Sequence, residues 1–284
     1  MKRGIPTLLV LLSVACATGP AGPANRYGLP VVSDPATYQE LVRRDPDKEL
    51  VDVARAVPLA VLDVRYATAN NFMHQLLYPV ARVFLRLPAA RALADVQREL
   101  GTEGLGLKVF DAYRPYRVTE RMWEAIRNPD FVADPAKGSR HNRGAAVDLT
   151  LIHLRTGAEL PMPTPYDDFT SRARQDFSDL PAEVVANRTR LREVMQRYGF
   201  VPLASEWWHF DFHNYDRFEL MDLDLITLAA IVDGTSLERD ARPRSRAGME
   251  SEAGHHGDRS DLVGARGVVR RIDLESWPGQ ASSD

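Results

Sequence analysis

Two short motifs constrain this chain more than any other feature: Ser139-Arg-His141-Asn-Arg-Gly144-Ala-Ala146-Val-Asp148 and, downstream, Glu206-Trp-Trp-His209. Any fold that makes use of both has to bring them to one point. His141, Asp148 and His209 are donor types that suit a borderline-soft divalent metal. Three protein ligands leave a fourth position for water, the arrangement of a catalytic zinc rather than a structural one. Glu206 is a carboxylate to spare, standing where a general base has to be. The combination reads as a zinc hydrolase with one zinc per chain.

The alternation of side chains shows how a backbone could deliver these ligands. In residues 145–151, Val147, Leu149 and Leu151 face a core, while Ala146, Asp148 and Thr150 face the other side. In residues 207–212, Trp208, Phe210 and Phe212 form the apolar face, and His209 and Asp211 the polar one. Two strands of one sheet then present Asp148 and His209 on the same open face. His141 precedes its strand in a turn that Gly144 permits. Glu206 stands at odd spacing from His209, so it has to come from the loop before the strand. A strand-borne site of this kind differs from the helical H-E-x-x-H arrangement. His213 shares parity with His209 and is a rival ligand, whereas His74, His153, His255 and His256 are isolated from the motifs. Trp207 reads as a packing residue on a face that borders the site.

The motif Ser-x-His-x-x-Gly-x-Ala-x-Asp followed by Glu-x-x-His resembles the zinc D-alanyl-D-alanine dipeptidases, and more widely the zinc D,D-peptidases and Hedgehog-like domains. Asp63-Val-Arg-Tyr-Ala-Thr-Ala-Asn-Asn-Phe72, Asp111-Ala-Tyr-Arg-Pro115 and the Glu-Trp-Trp-His form match the dipeptidase branch in particular. The likeness runs from about Leu59 to His209 and on towards Leu225. In the related D,D-carboxypeptidases the second motif continues Trp-His-x-Arg-Tyr; here Phe210-Asp211-Phe212 follows.

The resemblance implies roles for residues that spacing alone does not assign. Arg114 matches the family arginine near the metal, where a guanidinium can stabilise the oxyanion developing on a carbonyl. Its bland alternative is a surface ion pair with Asp111. Asp167, in Met162-Pro-Thr-Pro-Tyr-Asp-Asp168, matches the aspartate that binds the substrate's free ammonium. Pro163 replaces the family's glycine there, Asp168 competes for the role, and a turn-capping function is the alternative. Ser139 is implied to shape the site or to hydrogen-bond substrate. The implied reaction is hydrolysis of D-alanyl-D-alanine. The alternatives are a D,D-carboxypeptidase or endopeptidase acting on peptidoglycan stems and, from a different class, a non-catalytic zinc module that binds wall fragments.

The ends of the 284-residue chain do not read as core. Lys2 and Arg3 precede an apolar run from Ile5 to Ala15, the shape of a secretory signal and too short for an ordinary membrane span. Cys16, the only cysteine, follows in Leu12-Ser-Val-Ala-Cys16, which resembles a bacterial lipobox, with Ser13 as a departure. Cleavage after Ala17 is the rival. Residues 1–17 are thus expected to be a signal, 18–30 a linker rich in Gly, Pro and Ala, 31–226 the catalytic domain, and 234–284 a disordered tail poor in aromatics. An exported protein held at a membrane only by a lipid anchor is expected. A single cysteine allows no internal disulfide.

Within the domain, Leu87–Leu100 reads as a helix, with Pro88 at its start and Gly101 after its end. Tyr116–Arg127 and Pro181–Tyr198 read as helices as well, the second ending at Gly199. Val61–Tyr66, Val80–Leu85, Leu107–Asp111, Ala145–Leu151 and Trp207–Phe212 read as strands. The mixture predicts an α+β domain: helices behind one face of a mainly antiparallel sheet, with the zinc site on the open face. A net charge of −3 gives no footing for nucleic acid.

Overall fold

In the computed structural model the described residues are 22–240. The expected signal segment with Cys16, and residues 241–284 of the expected tail, lie outside them. In chain order the elements are β1 (Val31–Val32), α1 (Pro35–Arg44), β2 (Leu50–Asp52), α2 (Val53–Ala56), β3 (Val61–Leu62), β4 (Phe84–Arg86), α3 (Leu87–Gly101) and β5 (Leu105–Asp111). There follow α4 (Tyr116–Ile126), β6 (Ala146–His153), α5 (Ala182–Arg197), β7 (Phe200–Pro202), β8 (His209–Phe212), β9 (Leu220–Met221) and α6 (Leu225–Asp240).

The central sheet has five strands in the order β3-β5-β6-β8-β7. Every pairing in it is antiparallel except β3 with β5. Helices α3 and α5 pack against the sheet and against each other. Helix α3 forms where Pro88 can start it, and it turns Leu93, Val96 and Leu100 into the core. Helix α5 stops at Gly199, whose φ of 84° suits a residue without Cβ. Two small sheets, β2 with β4 and β1 with β9, tie the periphery together. The α+β class and the mainly antiparallel sheet agree with the expectation from sequence.

The differences have local causes. Of Val61–Tyr66 only Val61–Leu62 is strand; the chain then leaves the sheet in a 3-10 turn over Arg65–Ala67 that buries Tyr66. Of Val80–Leu85 only the end pairs, because β2 offers just three partners, Leu50–Asp52. Strand β8 begins at His209, since Trp207 donates its backbone N–H to Ala173 at 2.8 Å and its indole N–H to Thr164 at 2.9 Å. The site face of the sheet is not open. Residues Ala146–Ile152 are buried on both sides of β6, for the loops carrying Tyr66, Tyr166 and Trp208 close over the face the helices leave free.

Both domain boundaries also move outward. Residues 22–30 fold onto the body: Ala24 bridges Pro30, and the Asn25 side-chain oxygen accepts from the amides of Tyr27 and Leu29. At the other end α6 is helical to Asp240, beyond the expected start of the tail. Leu225, Leu228 and Val232 seat it in the core, and Asp233 pairs with Arg55 and Arg82. The turn to polar composition there does not end the helix. Among the described residues no helix is long and apolar enough to cross a membrane.

Candidate metal centre

Strand register puts the first two ligands together. Asp148 on β6 is the direct cross-strand partner of His209 on β8, so both side chains leave the same face. His141 arrives from a 3-10 turn, His141–Arg143, that ends at Gly144 with φ 67°. A Cβ on Gly144 would stand 2.4 Å from Leu50, so both the dihedral and the space call for glycine. The fully buried Arg86 braces this turn. Its guanidinium donates to the Arg143 carbonyl at 2.7 Å and its amide to that of Gly144 at 2.9 Å.

The donor atoms of His141, Asp148 and His209 converge. His141 Nε2 lies 3.1 Å from His209 Nδ1; Asp148 Oδ1 lies 3.0 Å from His209 Nδ1 and 3.4 Å from His141 Nε2. A tetrahedral ion with ligand bonds of about 2.0–2.2 Å separates its ligand atoms by about 3.3–3.6 Å, close to this triangle. The far sides of both rings are engaged. His141 Nδ1 donates to the Ala112 carbonyl at 2.7 Å, and His209 Nε2 donates to Asp211 Oδ1 at 2.9 Å. Each bond fixes a tautomer and aims the other nitrogen's lone pair inward. Three lone-pair-bearing atoms then face one another unless a metal ion, or a proton on one ring, stands between them. The electrostatics agree. Burial opposes charge on His209, yet Asp211 and Asp148 together hold its imidazole well above the ordinary value. Burial also opposes ionisation of Asp148, but His141 and His209 hold its carboxyl well below the usual range. The donor set, two neutral imidazoles and one carboxylate, fits zinc.

Around this triangle stand the other residues singled out from sequence. Glu206 lies in the loop between β7 and β8, its Oε2 3.8 Å from His209 Nδ1. Burial pushes its carboxyl up to about 7, with His209 and Arg114 opposing and Asp148 reinforcing the shift. Arg114 is buried rather than on the surface. Its Nε and Nη2 donate to Asp111 Oδ2 at 2.9 and 2.7 Å, and Nη2 lies 3.8 Å from Asp148 Oδ2. The guanidinium sits over the Tyr66 ring at 5.2 Å, and Tyr78 donates to the other oxygen of Asp111 at 2.7 Å. The β-bulge between Val109 and Asp111 places Asp111 opposite Asp148.

Asp167 has φ 62° and accepts from the Tyr66 hydroxyl at 3.0 Å through Oδ1. Its Oδ2 is buried with no hydrogen-bond partner. Burial, reinforced by Asp148, raises this carboxyl well above the usual range. Asp168 instead accepts from the Thr170 amide at 2.9 Å and is not among the residues lining the cleft. Ser139 lines the cleft, and its hydroxyl accepts from the His141 amide at 3.2 Å. His213 is exposed and bonded to the Gly199 carbonyl, outside the ligand cluster. Trp207 is packed away from the cleft, while Trp208, which alternation puts on the core side, lines it. The roles of Asp211 and of Tyr66 and Tyr166 escaped sequence reasoning. Asp211 had a legible signal, since it shares a strand face with His209; the tyrosines had none.

The ligand triangle, Glu206, Arg114, Asp167 and Ser139 line one cleft of about 370 Å³. Phe72, Phe131 and Phe169 wall it, with Phe169 at 5.1 and 5.0 Å from the other two rings. Comparison with known proteins gives this geometry a lineage. The model of the peptidase M15 family, described as D-ala-D-ala dipeptidase, matches residues 46–220. The D-alanyl-D-alanine dipeptidase of Escherichia coli is 35% identical over 173 residues, covering 61% of this chain and 89% of that protein. The D-alanyl-D-alanine dipeptidase of Enterococcus faecium is 32% identical over 168 residues, covering 52% and 83%. A solved structure of the vancomycin resistance D,D-pentapeptidase VanY with Zn(II) is a distant likeness: 18% identity, TM-score 0.30, covering 47% of this chain and 75% of that one. The family match takes in both metal motifs, the Asp63–Phe72 and Asp111–Pro115 segments and the Asp167 loop, and the chain belongs to the M15 zinc metallopeptidases of the D-Ala-D-Ala dipeptidase family.

Proposed function

We propose that this protein hydrolyses the free dipeptide D-alanyl-D-alanine to two D-alanines, with Glu206 as general base and His141, Asp148 and His209 as the ligands of one zinc. The observation that carries this reading is the buried, unpartnered Oδ2 of Asp167 in the same cleft as the ligand triangle and Glu206. A desolvated carboxylate with no partner is costly, and a bound ammonium relieves that cost.

Bound zinc would supply Lewis acidity, lowering the pKa of water to about 7 and polarising the scissile carbonyl. The chain's own residues do the remainder. Glu206 takes the proton of the attacking water and passes it to the leaving amine, which its position beside the triangle allows. Arg114, clamped by Asp111 and seated over Tyr66, presents fixed N–H donors to the oxygen on which negative charge develops. Asp167 receives the substrate ammonium and so sets the dipeptide's position. Ser139 holds the ligand turn through the His141 amide, so its role is to shape the site.

A D,D-carboxypeptidase or endopeptidase would use the same zinc chemistry on an acylated amine, and substrate length separates the two. The purified enzyme is expected to cleave D-alanyl-D-alanine well, and its N-acetyl derivative and pentapeptide stems poorly. If the acylated or pentapeptide substrates prove better, the carboxypeptidase reading replaces this one. The apolar run ahead of Cys16 supports an exported form anchored by lipid at that cysteine. Membrane partition lost in Cys16→Ala is the expected result; a native protein beginning at Thr18 would contradict lipidation.

A further inference from the structure

Two tyrosine hydroxyls connect the metal triangle to the Asp167 subsite. Tyr166 donates to Asp148 Oδ2 at 3.0 Å and lies 3.1 Å from the Tyr66 hydroxyl, and Tyr66 donates to Asp167 Oδ1 at 3.0 Å. Each hydroxyl has one proton to give. The Tyr66 proton is committed to Asp167, so Tyr66 offers Tyr166 only a neutral lone pair. The Tyr166 proton then goes to the carboxylate, since a hydrogen bond to a charged acceptor is the stronger one.

Packing fixes where this hydroxyl stands. The Tyr166 ring is stacked on Phe110 at 4.5 Å and 18°, and meets Trp208 edge-on at 5.6 Å. Asp148 thus has one oxygen for each task. Its Oδ1 faces the two histidines, and its Oδ2 faces the Tyr166 hydroxyl, with Arg114 further off at 3.8 Å. A carboxylate free to rotate could offer both oxygens to an ion and fill the position that a hydrolytic site keeps open.

We infer that Tyr166 is a positioning residue for the metal: its hydroxyl occupies the outer oxygen of Asp148, so that Oδ1 alone faces the ion. The inference rests on Asp148 being a zinc ligand. Partners of this kind orient a ligand, and removing one typically costs 10–100-fold in metal affinity or activity.

The test uses the full chain, stripped of metal and titrated with zinc against a chelating indicator. Tyr166→Phe removes the hydroxyl and keeps the ring against Phe110 and Trp208; Tyr66→Phe is its partner control. The expected result is zinc binding about 10–100-fold weaker in Tyr166→Phe and within about threefold of wild type in Tyr66→Phe. With Co(II) in place of zinc, the visible bands of Tyr166→Phe should lose intensity as the second carboxylate oxygen joins the ion. Zinc affinity of Tyr166→Phe within threefold of wild type, or an equal loss in both variants, would overturn the assignment. A wild-type chain that takes up no zinc would overturn both the ligand reading and this one.

Discussion

Replacing Asp167 by asparagine removes the group's ability to carry a negative charge and little else. Asparagine tolerates the left-handed backbone that φ 62° requires, where alanine would add strain, and its side-chain oxygen can still accept from Tyr66. Oδ2 of Asp167 is buried without a partner, so the substrate ammonium meets a carboxylate that water does not screen well. Breaking a buried ion pair costs about 3–5 kcal/mol; the lower end applies to a residue only half-buried as a whole. About 3 kcal/mol is roughly a 10²-fold loss of kcat/KM. The assay compares D-alanyl-D-alanine with N-acetyl-D-alanyl-D-alanine in both enzymes. The free dipeptide should lose about two orders of magnitude and the acetylated one less than about threefold, because it carries no ammonium to lose. The sign of the pH dependence follows. Burial holds this carboxyl well above the usual range, so dipeptide binding tightens as pH rises and Asp167 ionises, and fails again as the ammonium itself deprotonates near pH ~8. An equal fall for both substrates would place Asp167 in the chemistry or the fold, and the ammonium argument would be lost.

Loss of any one ligand, in His141→Ala, Asp148→Ala or His209→Ala, should remove zinc and activity together, as metal analysis of each purified variant would show. Zinc affinity in the wild type should fall as pH falls, by about tenfold per unit while one proton is displaced, because His209 is held protonated well above the ordinary imidazole range; an indicator titration at two pH values measures it. Gly144→Ala should destabilise the fold by at least about 2 kcal/mol, roughly 4–8 °C in melting temperature, through its φ of 67° and the clash with Leu50. Arg114→Lys should keep zinc but lose about 10²-fold in kcat, since an ammonium cannot reproduce the planar fork held by Asp111.

The parts of the fold with a sustained period were legible in the sequence. Strand β6 follows its alternation in placing Asp148, and α3 and α5 follow end signals such as Pro88 and Gly199. The pairs β2–β4 and β1–β9 have two or three residues each, too few for a pattern to register. Alternation in β6 correctly separated Asp148 from Val147 and Leu149 but could not show that loops would bury both faces. The same limit applies at the site. His141, Asp148 and His209 share local motifs, and Asp211 sits two residues from His209 on one strand face. Tyr66 and Tyr166 lie 100 residues apart, on loops whose meeting depends on tertiary packing, and no local spacing announces their contact. Past Val232 the sequence turns polar while the backbone stays helical to Asp240, because a helix already nucleated and anchored by Leu225, Leu228 and Val232 extends at little further cost.

The central claim is that one chain holds one zinc and that Glu206 moves the proton. Zinc content and D-alanine release, measured on the same samples of wild type and Glu206→Gln, test it directly. The account predicts about one zinc per chain in both proteins. It also predicts two D-alanines per dipeptide from the wild type and a rate lower by ~10²–10⁴ or more in the variant, whose amide cannot accept a proton. Near-normal turnover by fully loaded Glu206→Gln, or a zinc-loaded wild type that releases no D-alanine, would contradict it.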